Sequence, residues 1–441
     1  MEFEGEYLKG ERYGKGKEYN NGKLEYEGEY LKGERNGKGK EYYYNGKLKF
    51  EGEYLSGRKW NGKGYNYNNK SEFKIKDGKG NITESQYEND GLEFEGEYLN
   101  GKKWNGKIKE YDYEEGTLKF EGIYLYGERN GKGKEYFYNG KLKFDGEYLK
   151  DKKWTGKGYN YYGELEYEIK DGNGNIKEYN YDGSLIFEGN YLNGERNNKG
   201  KQYFLDYDKL EYEGEYLDGK KNGKGKEYYR NGKLQFEGEY LKNKKWTGKG
   251  YNYYGKLEYE IKDGNGNIKE YDNVYGSLRF EGIYINGRRN GKGKEYNYKG
   301  ILEYEGEYLD DNKNGKGKEY YKNGKVKFEG EYFEDKKWNG KQIEYFRSGN
   351  VKFEREYLNG EINGKIKEYY KNGNLKFEGE YLNGEINGKI KEYYKNGKLK
   401  FEEEYLNGEI KGKRKKYYKN GKLKFEGKFL KTKRKGKIKE N

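Results

Sequence analysis

The chain has no cysteine, no histidine and no proline, and a single methionine in 441 residues. Without cysteine there is no disulfide and no thiolate metal site. Without histidine there is no imidazole base, no Ser-His-Asp or Cys-His nucleophile and no zinc site of the usual kind. No cofactor, metal or small-molecule substrate is therefore expected. No stretch approaches the roughly 18 apolar residues that would suggest a spanning helix. The opening Met1-Glu2-Phe3-Glu4 also lacks the basic-then-apolar pattern of a secretory leader. The expectation is a soluble cytoplasmic protein, with peripheral attachment at a membrane as the variant of it. The missing proline carries little weight in a composition tilted toward Lys, Asn, Glu, Tyr and Ile.

What is present is charge, glycine and tyrosine. Charged residues make up 39% of the chain, which alone would argue for disorder, but aromatics make up 19% and fall at fixed phase. An aromatic followed by a Glu-Gly-Glu-Tyr-Leu-like run recurs nineteen times, from Phe3, Tyr26 and Phe50 through Phe377, Phe401 and Phe425, with 24 residues the commonest spacing. Such a period marks a repeat protein, in which function resides in a surface or a length rather than a pocket.

Within one unit, Leu48, Phe50, Gly52 and Tyr54 alternate with Lys49, Glu51, Glu53 and Leu55, the period of a half-buried strand. The stretch Ser56 to Gly62 reads as the turn, Lys63 to Tyr67 as the returning strand, and the later Asn-Gly as a second hairpin signal. Helix is disfavoured by the apolar period and the density of glycine. The expected fold is all-β: an elongated, single-layer, antiparallel, solenoid-like ribbon of about nineteen two-stranded hairpin repeats, one continuous array over residues 1–441.

Gly52 and Gly64 weaken strands unless space is needed there, and the expectation is a ring of Tyr54 or Trp60 lying across the sheet at those positions, with Gly62 closing the turn. Trp60, Trp154, Trp246 and Trp338 recur every four units, and the first three precede a divergent unit containing Lys-Asp-Gly. Asp171-Gly172-Asn173-Gly174-Asn175-Ile176 and its copy at Asp263 to Ile268 start like a calcium loop. Ile stands where that loop requires Gly, so a tight polar turn is the reading. Glu pairs such as Glu51 and Glu53 occur in every unit between lysines, which fits cross-strand ion pairing rather than paired catalytic carboxylates.

Residues 411–441 hold fifteen Lys or Arg against Glu426 and Glu440, nearly the whole net charge of +14. Lys411, Lys413, Arg414, Lys415, Lys416, Lys431, Lys433, Arg434, Lys435 and Lys437 are the candidates for an anionic surface, a membrane above all, with nucleic acid the least favoured. The alternative is that these lysines protect an open sheet edge.

The unit Tyr26-Glu27-Gly28-Glu29-Tyr30-Leu31-Lys32-Gly33-Glu34-Arg35-Asn36-Gly37-Lys38-Gly39 closely resembles the MORN repeat, whose pattern runs Tyr-x-Gly-x-Trp/Tyr, a polar turn, then Gly-x-Gly. Later units, such as Asn363 to Lys376, resemble the related bacterial YwqK-type antitoxin-component repeats, with Ile366 and Ile390 replacing the second Gly. The resemblance implies a scaffold, a dimerisation element or a phosphoinositide-associated module. The expected function is thus a non-enzymatic scaffold or interaction array with a protein partner or a second copy of itself. The alternatives are an adaptor docking on anionic membrane through the basic end, and an antitoxin-like binding protein.

Overall fold

The computed structural model of the chain describes residues 2–8, 10–65, 71–85, 92–112, 116–205 and 209–433. Among them are thirty-seven β-strands and no helix. Consecutive strands pair antiparallel, as in Leu48–Leu55 against Arg58–Tyr65.

The hairpin turn is shorter than the polar stretch suggests. Only Ser56 and Gly57 form it, at φ of 47° and 76°, the two left-handed residues of a tight primed turn. The ladder resumes at once with Leu55 opposite Arg58 and Tyr54 opposite Lys59. Trp60 to Gly62, expected in the turn, therefore lie in the strand. The register shifts between Tyr54–Lys59 and Glu53–Asn61, so Trp60 is the extra residue of a bulge. At the other end of each repeat a loop such as Tyr43-Tyr44-Asn45-Gly46 closes with Tyr43 N–H donating to the Lys47 carbonyl at 2.8 Å. The Asn45 side chain accepts from the Lys47 N–H at 3.0 Å.

The strands fall into two compact units, Met1–Asn222 and Gly223–Asn441. The first holds a seven-stranded sheet from Glu2–Leu8 to Ser71–Ile75, an eight-stranded sheet from Gly80–Ser85 to Leu165–Ile169, and the strands from Gly174–Tyr179 onward. The second runs to Leu257–Ile261 and then builds a fourteen-stranded sheet from Gly266–Tyr271 to Leu423–Lys433.

The ladder is interrupted at the three divergent units. There the two strands of a hairpin share one isolated bridge, Lys76 to Lys79, Lys170 to Asn173 or Lys262 to Asn265. Asp171 and Gly172, at φ of 51° and 75°, make a two-residue turn of the same primed kind. Where the strands part, Ile75 with Ile82, Ile169 with Ile176, and Ile261 with Ile268 are buried at register positions that glycines hold in the other repeats. The first four join the same apolar cluster as Phe50, Phe94 and Phe144, so the core continues where the hydrogen bonds stop.

Three of the five tryptophans belong to these breaks. Trp60, Trp154 and Trp246 lie over the turn glycines Gly78, Gly172 and Gly264, each of whose N–H groups donates to the Trp carbonyl at 2.7–2.8 Å. Trp338 packs instead on an ordinary turn glycine, Gly360, so the four-residue series keeps its partner type without a divergent unit after it. Similar turn-to-turn bonds, Gly33 N–H to Arg12 O and Gly57 N–H to Arg35 O, tie successive hairpins along the same edge.

Candidate interaction face

Strand alternation divides each sheet into an aromatic face and a charged face. The opening aromatic of a repeat is core: Tyr26, Phe50, Phe94, Phe120, Phe144 and Phe280 are completely buried. Tyr54 is buried beside it, with its ring edge-on to Phe50 at 5.5 Å. These fully buried rings are core and are not free to bind, whereas Phe425 near the chain end is exposed.

Glycine makes room for the opening aromatic rather than for Tyr54 or Trp60. Phe50 stands opposite Gly64, and a Cβ on Gly62 would come 2.6 Å from its Cζ. A Cβ on Gly64 would meet the Phe73 ring at 1.9 Å, and one on Gly52 would strike the Asn61 carbonyl oxygen at 2.0 Å. In the last repeats Ile366 and Ile390 occupy this space and are buried, while Phe377 and Phe401 are only partly buried.

The aromatic face also carries a charge ladder that the sequence reading missed. Arg35 lies 4.1 Å from the Tyr26 ring centroid, Arg129 4.0 Å from Phe120, Arg289 4.0 Å from Phe280 and Lys59 5.2 Å from Phe50. Each cation meets a carboxylate two strands away, across the strand that carries the ring: Arg35 with Glu18, Arg129 with Glu110 at 2.5 Å, Arg289 with Glu270 at 2.7 Å and Lys59 with Glu41 at 3.3 Å, as Lys153 does with Glu135 at 2.9 Å. Tyrosine hydroxyls complete the set, Tyr98 donating to Glu84 at 3.0 Å and Tyr124 to Glu110 at 3.0 Å. Burial by itself raises the Glu84 and Glu135 carboxyls. Lys59 and Lys103 at the first, and Lys153 and Lys143 at the second, outweigh it and hold both at about 2. The signal was the basic residue before Trp-Asn-Gly, Trp-Thr-Gly or Asn-Gly, which reads as a turn until the turn is known to be two residues long.

The opposite face is open. Glycines pair across neighbouring strands, Gly5 with Gly16, Gly16 with Gly28, Gly28 with Gly39, Gly39 with Gly52 and Gly52 with Gly62. Flanking them are rows of lysine and glutamate, so this face is a groove with a floor of bare backbone and charged walls. It encloses about 870 Å³ between Glu4 and Glu53, and about 860 Å³ in the second unit between Glu258 and Glu331. The walls pair across strands, Lys17 with Glu27 at 3.7 Å and Lys318 with Glu329 at 2.9 Å. Tyr42 and Tyr320 donate to Glu27 and Glu305 at 2.6 and 2.5 Å. No group of acidic residues that could hold a metal ion is present among the described residues. No helix there is long and apolar enough to cross a membrane.

Of the basic candidates, Lys411, Lys413 and Lys416 are exposed. Arg414 turns inward to the buried Glu403, and Lys415 lies 3.6 Å from Glu426. Lys431 and Lys433 belong to the strand Leu423–Lys433, and Arg434, Lys435 and Lys437 lie outside the described residues.

The MORN repeat pattern matches residues 26–47, 120–141, 187–209, 212–233, 280–300 and 304–326. A MORN repeat variant matches residues 338–359, 362–383, 386–407 and 410–431. No curated protein matches the chain. Among solved structures, the TcdB2-TccC3 crystal structure without its hypervariable C-terminal region is similar at 11% identity over 93% of this chain, with a TM-score of 0.16. The Photorhabdus luminescens Tc holotoxin pore is similar at 12% identity over 92%, with a TM-score of 0.15. The chain spans 24% and 23% of those chains, and a superposition that poor carries no argument.

Proposed function

Because the chain belongs to the MORN-repeat family, whose repeats are structural and interaction modules rather than catalysts, we propose that it is a scaffold taking a protein partner along the grooves of its charged face. At the coarser level it is a non-catalytic, repeat-based protein-interaction module. The observation carrying the finer reading is the groove itself, with glycine backbone for its floor and balanced lysine and glutamate walls, present in both units. The floor is main chain because the row's side-chain positions turn to the aromatic face, which leaves backbone open to another chain between the walls, and walls of both signs favour a partner bearing both charges over a uniform polyanion. A toxin domain is one class of such partner.

The test places a photo-reactive residue at Lys294 or Lys316 on the groove wall, or at Lys322 on a loop away from it. One protein captured repeatedly from the groove positions alone, and lost when Lys292 and Lys318 are also reversed to Glu, supports the reading. Equal capture from all three positions overturns it.

A second reading rests on the exposed Lys411 and Lys413, which alternate onto one face of their strand and suit an anionic bilayer. It predicts salt-sensitive co-sedimentation of the full chain with phosphatidylserine vesicles, lost in the variant with both reversed to Glu. Binding that survives the reversal removes this reading.

A further inference from the structure

Each hairpin repeat of the fourteen-stranded sheet sends its loop to one lateral edge and its two-residue turn to the other. Toward the chain end the two edges acquire opposite charge. The loop-tip position holds Lys322, Arg347, Lys371, Lys395 and Lys419, all exposed and none in an ion pair among the described residues. The five loops 321–325, 346–350, 370–374, 394–398 and 418–422 contain no acidic residue. On the other edge three successive turns read Leu-Asn-Gly-Glu, ending in Glu361, Glu385 and Glu409. The first two are exposed and the third is half-buried. Beside them Leu358, Leu382 and Leu406 are 44–48% exposed.

This polarity is local. Earlier loops mostly carry tyrosine at the tip position, as at Tyr44, Tyr138, Tyr161, Tyr253 and Tyr298, with Arg230 among them, and earlier turns mix signs, Leu192-Asn193-Gly194-Glu195 standing beside Leu55-Ser56-Gly57-Arg58 and Leu217-Asp218-Gly219-Lys220. A uniform cationic edge and a uniform acidic edge thus arise in the same stretch. Both follow the same repeat, two strands or about 9.6 Å, so a translation that aligns one charge pair aligns the others. Lysine stems also offer apolar cover for the exposed leucines.

We propose that the cationic loop edge of one copy docks against the acidic turn edge of a second copy, with Lys371, Lys395 and Lys419 facing Glu361, Glu385 and Glu409. The contact is head-to-tail, so each copy keeps one free edge and association continues unless the assembly closes. A linear polyanion matches the cationic edge alone, whereas a second copy also explains why the turns lose their lysines in the same repeats. This inference rests on reading the array as an interaction surface but uses neither groove, so its failure leaves the groove reading standing.

The experiment is sedimentation velocity of the full chain at low and high salt, with folding of every variant checked by circular dichroism. The wild type is expected to show about a doubling of mass or more at low salt, reverting to monomer at high salt. K371E/K395E/K419E and E361K/E385K/E409K should each be monomeric, and their equimolar mixture should associate again. A monomeric wild type at low salt, or association indifferent to both reversals, overturns the proposal. So does a monomeric wild type that binds phosphatidylserine vesicles through the three lysines, which assigns this edge to lipid.

Discussion

Lys59 and Glu84 stand in different sheets, yet the ammonium lies 3.0 Å from the carboxylate across the place where the first ladder ends and the second begins. Both side chains are little exposed, at 13% and 7%, and Tyr98 donates to the same carboxylate. The pair spans the break at Lys76 and Lys79 with a charge contact where backbone pairing is reduced to one bridge.

Removing Lys59 leaves the buried Glu84 to the more distant Lys103, 3.8 Å away, at a cost of about 3 kcal/mol. Lys59→Met is expected to loosen the break locally rather than unfold the whole array, because each repeat touches only its neighbours. Hydrogen exchange should quicken in Ser71–Ile75 and Gly80–Ser85 and stay unchanged in the fourteen-stranded sheet. Uniform acceleration would contradict local coupling.

Glycine substitutions should rank by what a Cβ meets. Gly64→Ala drives a methyl into the Phe73 ring and is expected to cost about 3 kcal/mol. Gly57→Ala meets nothing within 4 Å and suffers only from its φ of +76°, at about 1 kcal/mol. Thermal unfolding that shows the reverse order would remove the steric explanation of the glycine row.

Stability should fall at both ends of the pH scale. Glu84 and Glu135 have folded values of about 2 against an ordinary value of 4.5, so their contribution is full above pH 4.5 and is lost as pH falls toward 2. Tyr42 and Tyr124 are raised by burial and by Glu27 and Glu110 to about 12 from 10.0. Their contribution is full below pH 10 and is lost as pH rises through 12. Melting temperature against pH should show a plateau between these limits. Because exposed tyrosines ionise without unfolding, the contradicting result is ionisation of every tyrosine by about pH 11 with the structure intact.

Trp154→Ala should disturb its own break. The ring lies over Gly172, whose N–H donates to the Trp154 carbonyl and whose own carbonyl accepts from Gly194. A loss of about 2 kcal/mol is expected from the half-buried ring, with faster exchange at Gly172 and Gly194. If those two amides stay protected, the ring is a cover and not a support.

Much of this was legible beforehand because local chemistry decided it. Alternation at Leu48 to Leu55 predicted a strand, and Asp171-Gly172 predicted a turn rather than a calcium loop. What stayed hidden depended on register. Trp60, Asn61 and Gly62 look like turn residues by composition, and only the pairing of Leu55 with Arg58 places them in a strand. The same register stacks Arg35 on Tyr26 beside Glu18, a relation between residues on three different strands that periodicity along one strand does not reveal. The grooves were likewise invisible, since each wall takes one residue from every strand it crosses.

The ladder bonds and the turn-to-turn bonds both run across the strands. Tension applied to a sheet through its first and last strands therefore loads one row of bonds at a time, and strands peel off singly instead of sliding past one another together. Each sheet should consequently lengthen under small, regularly repeated forces and so behave as a soft spring as well as a surface.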